Sequence, residues 1–209
     1  LHDRTQRRIA FLALPATVGL WVLAGPVVWV CLGGGDFGPE GVERTRLALR
    51  YLTLAILPVG AAGLMARTYH SMGDMMTPAK VSSAMLIANV GLNVVFIRGM
   101  GMDIEGLALA TAITSWGNLL LLFPGLGGRL ALPARGVPLA GPLVRMGLAA
   151  AVCGFVAGAT HSLGRGSLGS LGALALAMGT GVLAYGLAAA ALSIEELQTV
   201  RKRIVRKFR

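Results

Sequence analysis

Six long apolar stretches, at residues 9–32, 47–66, 81–97, 106–124, 146–163 and 168–194, take up almost the whole of a 209-residue chain. Each is about as long as the roughly 20 residues a helix needs to cross some 30 Å of hydrocarbon. In lipid every backbone N–H and C=O has to be paired within the protein, so a spanning segment is a helix or a barrel strand. Barrel strands read as segments of about ten residues with alternating polarity. Nothing here alternates, and residues 148–159 run Leu-Ala-Ala-Ala-Val-Cys-Gly-Phe-Val-Ala-Gly-Ala without a break. A soluble helical protein with buried helices is the other reading. With 55% hydrophobic and 13% charged residues and a mean hydropathy of +0.72, the chain has too little charge to cover such a domain. The expected fold is an all-α integral membrane protein of six transmembrane helices.

The 30 glycines suit membrane helices, where small residues let backbones approach closely. Pro15, Pro26 and Pro58 fall inside apolar stretches, where each should kink its helix and free a carbonyl. The start, Leu-His-Asp-Arg-Thr-Gln-Arg-Arg, is polar and basic and reads as a cytoplasmic loop with further helices upstream. It lacks the charged, apolar and small-residue layout of a signal peptide. Assigning loops to alternate sides puts Arg44, Arg46, Arg50, Arg98 and Arg165 on one side and the other 14 of the 19 basic residues on the opposite one. By the positive-inside rule both termini then face the cytoplasm. The net charge of +10 thus reflects topology, with anionic headgroups rather than nucleic acid as the partner. In the tail, residues 195–209, apolar Leu197, Val200, Ile204 and Phe208 alternate with basic residues at helical spacing. That suits an amphipathic helix on the inner leaflet or a solvated tail.

Enzyme chemistry has little to work with. Cys31 and Cys153 sit in apolar stretches without a second metal-ligating residue nearby, so they read as packing residues. His2, His70 and His161 are far apart in sequence. There is no phosphate-binding loop and no Ser/His/Asp layout. Asp36, Glu40, Glu43, Asp74, Asp103 and Glu105 are placed in loops. A secondary transporter or a structural membrane subunit fits; a catalyst does not.

Between the second and third stretches the chain reads Ala66-Arg67-Thr68-Tyr69-His70-Ser71-Met72-Gly73-Asp74-Met75-Met76-Thr77-Pro78-Ala79-Lys80. Thr77 is expected to cap a helix with Pro78 in its first position, and Asp74 to sit beside that positive helix end. Arg67, Tyr69, Ser71, Asp74, Thr77, Pro78 and Lys80 resemble a motif of the lipid II flippase family MurJ, also called MviN. That family lies within the multidrug/oligosaccharidyl-lipid/polysaccharide (MOP) exporter superfamily. Ala13-Leu14-Pro15-Ala16, Gly106-Leu107-Ala108-Leu109-Ala110-Thr111 and Trp116-Gly117-Asn118 are similar to further stretches of the family. His70, where an aromatic residue is usual, and the Met75-Met76 pair depart from it.

The resemblance implies the C-terminal part of a fourteen-helix flippase of the bacterial cytoplasmic (inner) membrane. Residues 1–128 would be the last four helices of its second lobe, 129–194 two extra C-terminal helices, and 195–209 a basic cytoplasmic tail. The whole, expected to be a monomer and not an enzyme, would carry the undecaprenyl-linked peptidoglycan precursor, lipid II, from the inner to the outer leaflet by alternating access. Another MOP-type polysaccharide-lipid flippase or a cation-coupled multidrug antiporter is the alternative. The arginines that face the pyrophosphate are expected upstream of this chain. By the same resemblance the last two helices would form a groove for the prenyl tail, with Gly154, Gly158 and Gly179 as its small-residue faces.

Asn89 and Asn93 share one face of the third helix, and Thr111, Thr114 and Ser115 lie in the fourth. An amide in hydrocarbon needs a partner, so the pair is expected to face the bundle interior. Interhelical hydrogen bonding is one role. The resemblance implies another, a sodium site whose ligands match Asn89, Asn93, Thr111 and the carbonyl of Leu107. Asn93 stands where family members carry an acid, so this site would be neutral.

Overall fold

Backbone pairing within each span gives the architecture expected from the hydropathy. The computed structural model describes residues 2–33, 38–129, 140–166, 169–192 and 194, and these form six long helices. They are α1 (His2–Leu32), α2 (Pro39–Ser71), α3 (Met76–Val94), α4 (Ile104–Arg129), α5 (Ala140–Gly164) and α6 (Gly169–Ala191). Each contains a window long and apolar enough to cross a membrane. Large apolar side chains point outward, with Ile87, Phe155, Leu163 and Leu187 each more than 70% exposed. Such a surface is stable against lipid tails and not against water. The tail at 195–209 and Asp36 lie outside the described residues.

Most of the helices outrun their apolar stretches, α2 by the most. α2 begins at Pro39 and ends at Ser71, 33 residues in all, or about 50 Å at 1.5 Å per residue. Its extra first turns hold Glu40, Glu43, Arg44 and Arg46, so the two glutamates sit on a helix and not in a loop as the sequence suggested. Glu40 accepts from Arg44 at 2.7 Å, and Glu43 takes both arms of Arg46. These spacings of three and four residues support a helix beyond the hydrocarbon. Glu105 likewise belongs to the first turn of α4. Arg44 also pairs with Asp103, just ahead of α4. α3 passes into a π-helical turn, Val95–Gly99, closed by a bond from Met102 N to Phe96 O. That turn begins two residues after Asn93.

The chain forms two compact units, residues 31–136 in one and residues 1–30 with 137–209 in the other. In the first, α2 packs along α4, and α3 lies against α4. Its core gathers Ala62, Met65, Tyr69 and Leu122, with Val81 and Leu119 against them. In the second, Leu23 of α1 meets Ala157 of α5 and Leu174 and Ala177 of α6. Small residues set the approach there. A Cβ on Gly181 would stand 3.1 Å from the Ala157 Cβ and 3.5 Å from Cys153 Sγ. Cys153 is therefore a buried packing residue, whereas Cys31 is exposed. Across the same α5–α6 seam the Thr180 hydroxyl donates to Thr160 at 3.1 Å.

Candidate functional site

The motif between residues 66 and 80 folds as a helix end, a four-residue turn and a helix start. Its first half, Arg67 to Ser71, is the last turn of α2, so only Met72–Met75 connects the helices. Gly73 ends α2 with φ +79°, the left-handed conformation that glycine adopts without strain. Gly73 N donates to His70 O and Asp74 N to Tyr69 O, each at 3.0 Å, which is a Schellman closure. Asp74 then opens α3. Its carboxylate accepts from Thr77 N at 2.9 Å and from the Thr77 hydroxyl at 2.7 Å. The cap is therefore Asp74 and not Thr77, as the sequence had suggested. A carboxylate outperforms a hydroxyl here because it satisfies a backbone donor and the helix dipole together. Pro78 occupies the third position of α3, still within the turn whose N–H groups lack helical partners.

Tyr69 anchors this turn. It is fully buried, and its hydroxyl donates to Leu122 O of α4 at 3.0 Å. A Cβ on Gly125 would stand 2.2 Å from that hydroxyl, so glycine is what lets the phenol reach. Arg67, His70 and Lys80 are exposed around the same turn. Gly73 and Gly125 were not singled out from sequence, although a Gly two residues past a helical pattern is the ordinary signal of a C-terminal cap.

A polar cluster joins α3 to α4. Asn93 Nδ2 donates to Asn89 Oδ1 at 3.1 Å, and Asn89 Nδ2 donates to the Thr114 hydroxyl at 3.2 Å. Thr114 is buried and donates back to Ala110 O at 2.9 Å. Thr111 and Leu107 are exposed, and the Thr111 hydroxyl donates to Leu107 O at 2.9 Å. The structure thus brings Asn89, Asn93 and Thr114 together, and it joins Thr111 to Leu107 along the helix. Asn93 Oδ1 is buried and accepts no hydrogen bond from the described residues. It is a hard neutral oxygen on the amide that donates to Asn89 Oδ1, and oxygen is the ligand type that hard cations prefer.

The three glycines of the expected lipid-tail groove divide between two settings. Cβ atoms on Gly154 and Gly158 would stand 2.6 Å from Val18 and 3.1 Å from Val22 of α1. A neighbouring helix covers them. Gly179 on α6 is exposed, with no atom within 4 Å of a Cβ there.

Comparison with known proteins places this geometry. The family model described as lipid II flippase MurJ matches residues 1–191. A Thermotoga maritima protein named probable lipid II flippase MurJ is 30% identical over 195 residues, 92% of this chain and 38% of that protein. A Vibrio cholerae protein of the same name is 33% identical over 120 residues, 57% of this chain and 22% of its own length. The chain therefore spans well under half the length of these relatives. Among solved structures, a lipid II flippase MurJ in an inward closed conformation superposes with a TM-score of 0.70 at 22% identity. It covers 87% of this chain, which in turn covers 36% of it, and the likeness is one of fold.

Proposed function

This chain belongs to the lipid II flippase MurJ family, and we propose from that membership that it supplies six helices of a protein moving lipid II between leaflets of the bacterial cytoplasmic membrane. The observation that carries the reading is the motif turn at Arg67–Lys80, folded as a double cap and anchored by Tyr69, within a chain that matches the family along residues 1–191. In this reading the chain forms spans nine to fourteen, and the whole protein works as a monomeric transporter. The groups that hold the substrate's pyrophosphate lie elsewhere in that protein.

Charge supports the orientation. The ends bearing Arg44, Arg46, Arg98 and Arg165 face outward, while the turn with Arg67 and Lys80 faces the cytoplasm together with both termini. The prenyl tail lies along the open face of α6 at Gly179, the one groove glycine without a helix in front of it.

Sodium, as coupling ion, would sit on the amide oxygens of Asn89 and Asn93, where Asn93 Oδ1 has an acceptor site to spare. A cation held by neutral oxygens alone is held weakly, so Asn93→Asp supplies the missing charge. The expected result is a thermal midpoint that rises with sodium but not with potassium at equal ionic strength. Equal response to both salts removes the site.

The transport reading is tested by replacing the matching part of the Thermotoga maritima relative with residues 1–191. Cells depleted of their own lipid II flippase grow if the segment serves this function. Arrest, with the chimera present in the membrane at the parent's level, contradicts it.

A further inference from the structure

A proline inside a helix leaves the carbonyl four residues earlier without its N–H donor. In hydrocarbon that carbonyl is expensive to leave bare. Two such carbonyls are met in this protein by the same device. Pro58 interrupts α2 and frees Leu54 O, and the indole Nε1 of Trp116 on α4 donates to it at 3.1 Å. Pro15 interrupts α1 and frees Phe11 O, and the Tyr185 hydroxyl on α6 donates to it at 2.7 Å. One clasp lies in each compact unit.

The clasps differ in ways that bear on motion. Tyr185 is 7% exposed and its ring packs at a tilt of 49° against Phe11, with centroids 5.2 Å apart, so packing as well as the hydrogen bond holds it. Trp116 is 40% exposed and gives the longer bond. α2 carries a second backbone distraction one turn earlier, where the buried Thr53 hydroxyl donates to Arg50 O at 2.7 Å. Such back-bonding competes with the helical ladder and favours bending. Meanwhile the buried Tyr69 ties one end of α2 to Leu122 O of α4, and the exposed pair of Arg44 with Asp103 adds a weak contact near the other end. The missing donor at Pro58 and the Thr53 back-bond fall together, whereas the back-bond from Thr68 to Leu64 O lies beside the Tyr69 anchor, so bending of α2 is expected between residues 53 and 58.

We propose that Leu54, Pro58 and Trp116 form a releasable hinge in α2, with Trp116 as the positioning residue that latches it, and that Phe11, Pro15 and Tyr185 form a fixed counterpart in α1. A transporter working by alternating access needs helices that bend at defined points, and in that sense the hinge deepens the proposed function. It is nonetheless measurable without any substrate, so its failure and the failure of the transport reading are separate results.

The test is amide hydrogen exchange on the protein in lipid nanodiscs. Trp116→Phe keeps an aromatic ring but removes the donor. It should speed exchange at residues 55–62 by roughly five- to tenfold, the effect of losing one net hydrogen bond. Pro58→Ala restores a backbone donor to Leu54 O. By itself it should slow exchange at those amides, and in its presence Trp116→Phe should change them less than about twofold, the mark of coupling between the two sites. Tyr185→Phe should lower the thermal midpoint without singling out residues 12–19. Equal acceleration by Trp116→Phe with and without Pro58, no acceleration in either background, or faster exchange in Pro58→Ala alone overturns the hinge. Selective acceleration at residues 12–19 in Tyr185→Phe overturns the division between releasable and fixed clasps.

Discussion

Tyr69→Ala destabilises the protein by about 3–5 kcal/mol, the usual effect of emptying a fully buried aromatic site. Tyr69→Phe keeps the ring and gives up only the bond to Leu122 O, at about 1 kcal/mol. Thermal unfolding in one detergent, followed for both variants, checks the order. The large effect arises because the ring joins Ala62, Met65 and Leu122 in one core while its hydroxyl ties the end of α2 to α4. Equal, small shifts for both variants would mean that the turn is held by its caps alone.

Gly154→Leu and Gly179→Leu separate packing from surface. At Gly154 even a Cβ meets Val18 at 2.6 Å, so leucine forces α1 off α5 and destabilises by about 1–3 kcal/mol or more, as overpacking does. At Gly179 the space is open, and the substituted helix keeps or slightly raises its stability because leucine outranks glycine as a helix former. If the prenyl tail lies on that face, Gly179→Leu lowers transport while the protein stays folded. A thermal midpoint for Gly154→Leu equal to that of the unsubstituted protein would remove the close α1–α5 contact.

The number of helices was legible in the sequence because lipid leaves the backbone no alternative to internal pairing. Their ends were less so. Hydropathy marks the part of a helix that lies in hydrocarbon, whereas α2 continues through Glu40, Glu43, Arg44 and Arg46 at one end and to Ser71 at the other. Motif residues that read as a loop are therefore mostly helix. The cap at Asp74 shows a related limit. Asp74 and Thr77 are both good capping residues three positions apart, and only the backbone path after Gly73 decides between them. In the α3–α4 cluster, sequence spacing identified Asn89 and Asn93 as one face. It could not tell which α4 hydroxyl they meet, since Thr111 and Thr114 are one turn apart and helix rotation selects Thr114. The proline clasps were half legible. Freed carbonyls follow from Pro15 and Pro58, but their donors, Tyr185 and Trp116, lie 174 and 62 residues from the carbonyls they satisfy.

The most direct measurement is the leaflet distribution of lipid II in cells whose only lipid II flippase is the Thermotoga maritima relative carrying residues 1–191 of this chain. An impermeant reagent that reacts with the precursor reports the share exposed outside. The account predicts an exposed share close to that given by the unaltered relative. Precursor held in the inner leaflet, with the chimera inserted at the same level, would contradict it.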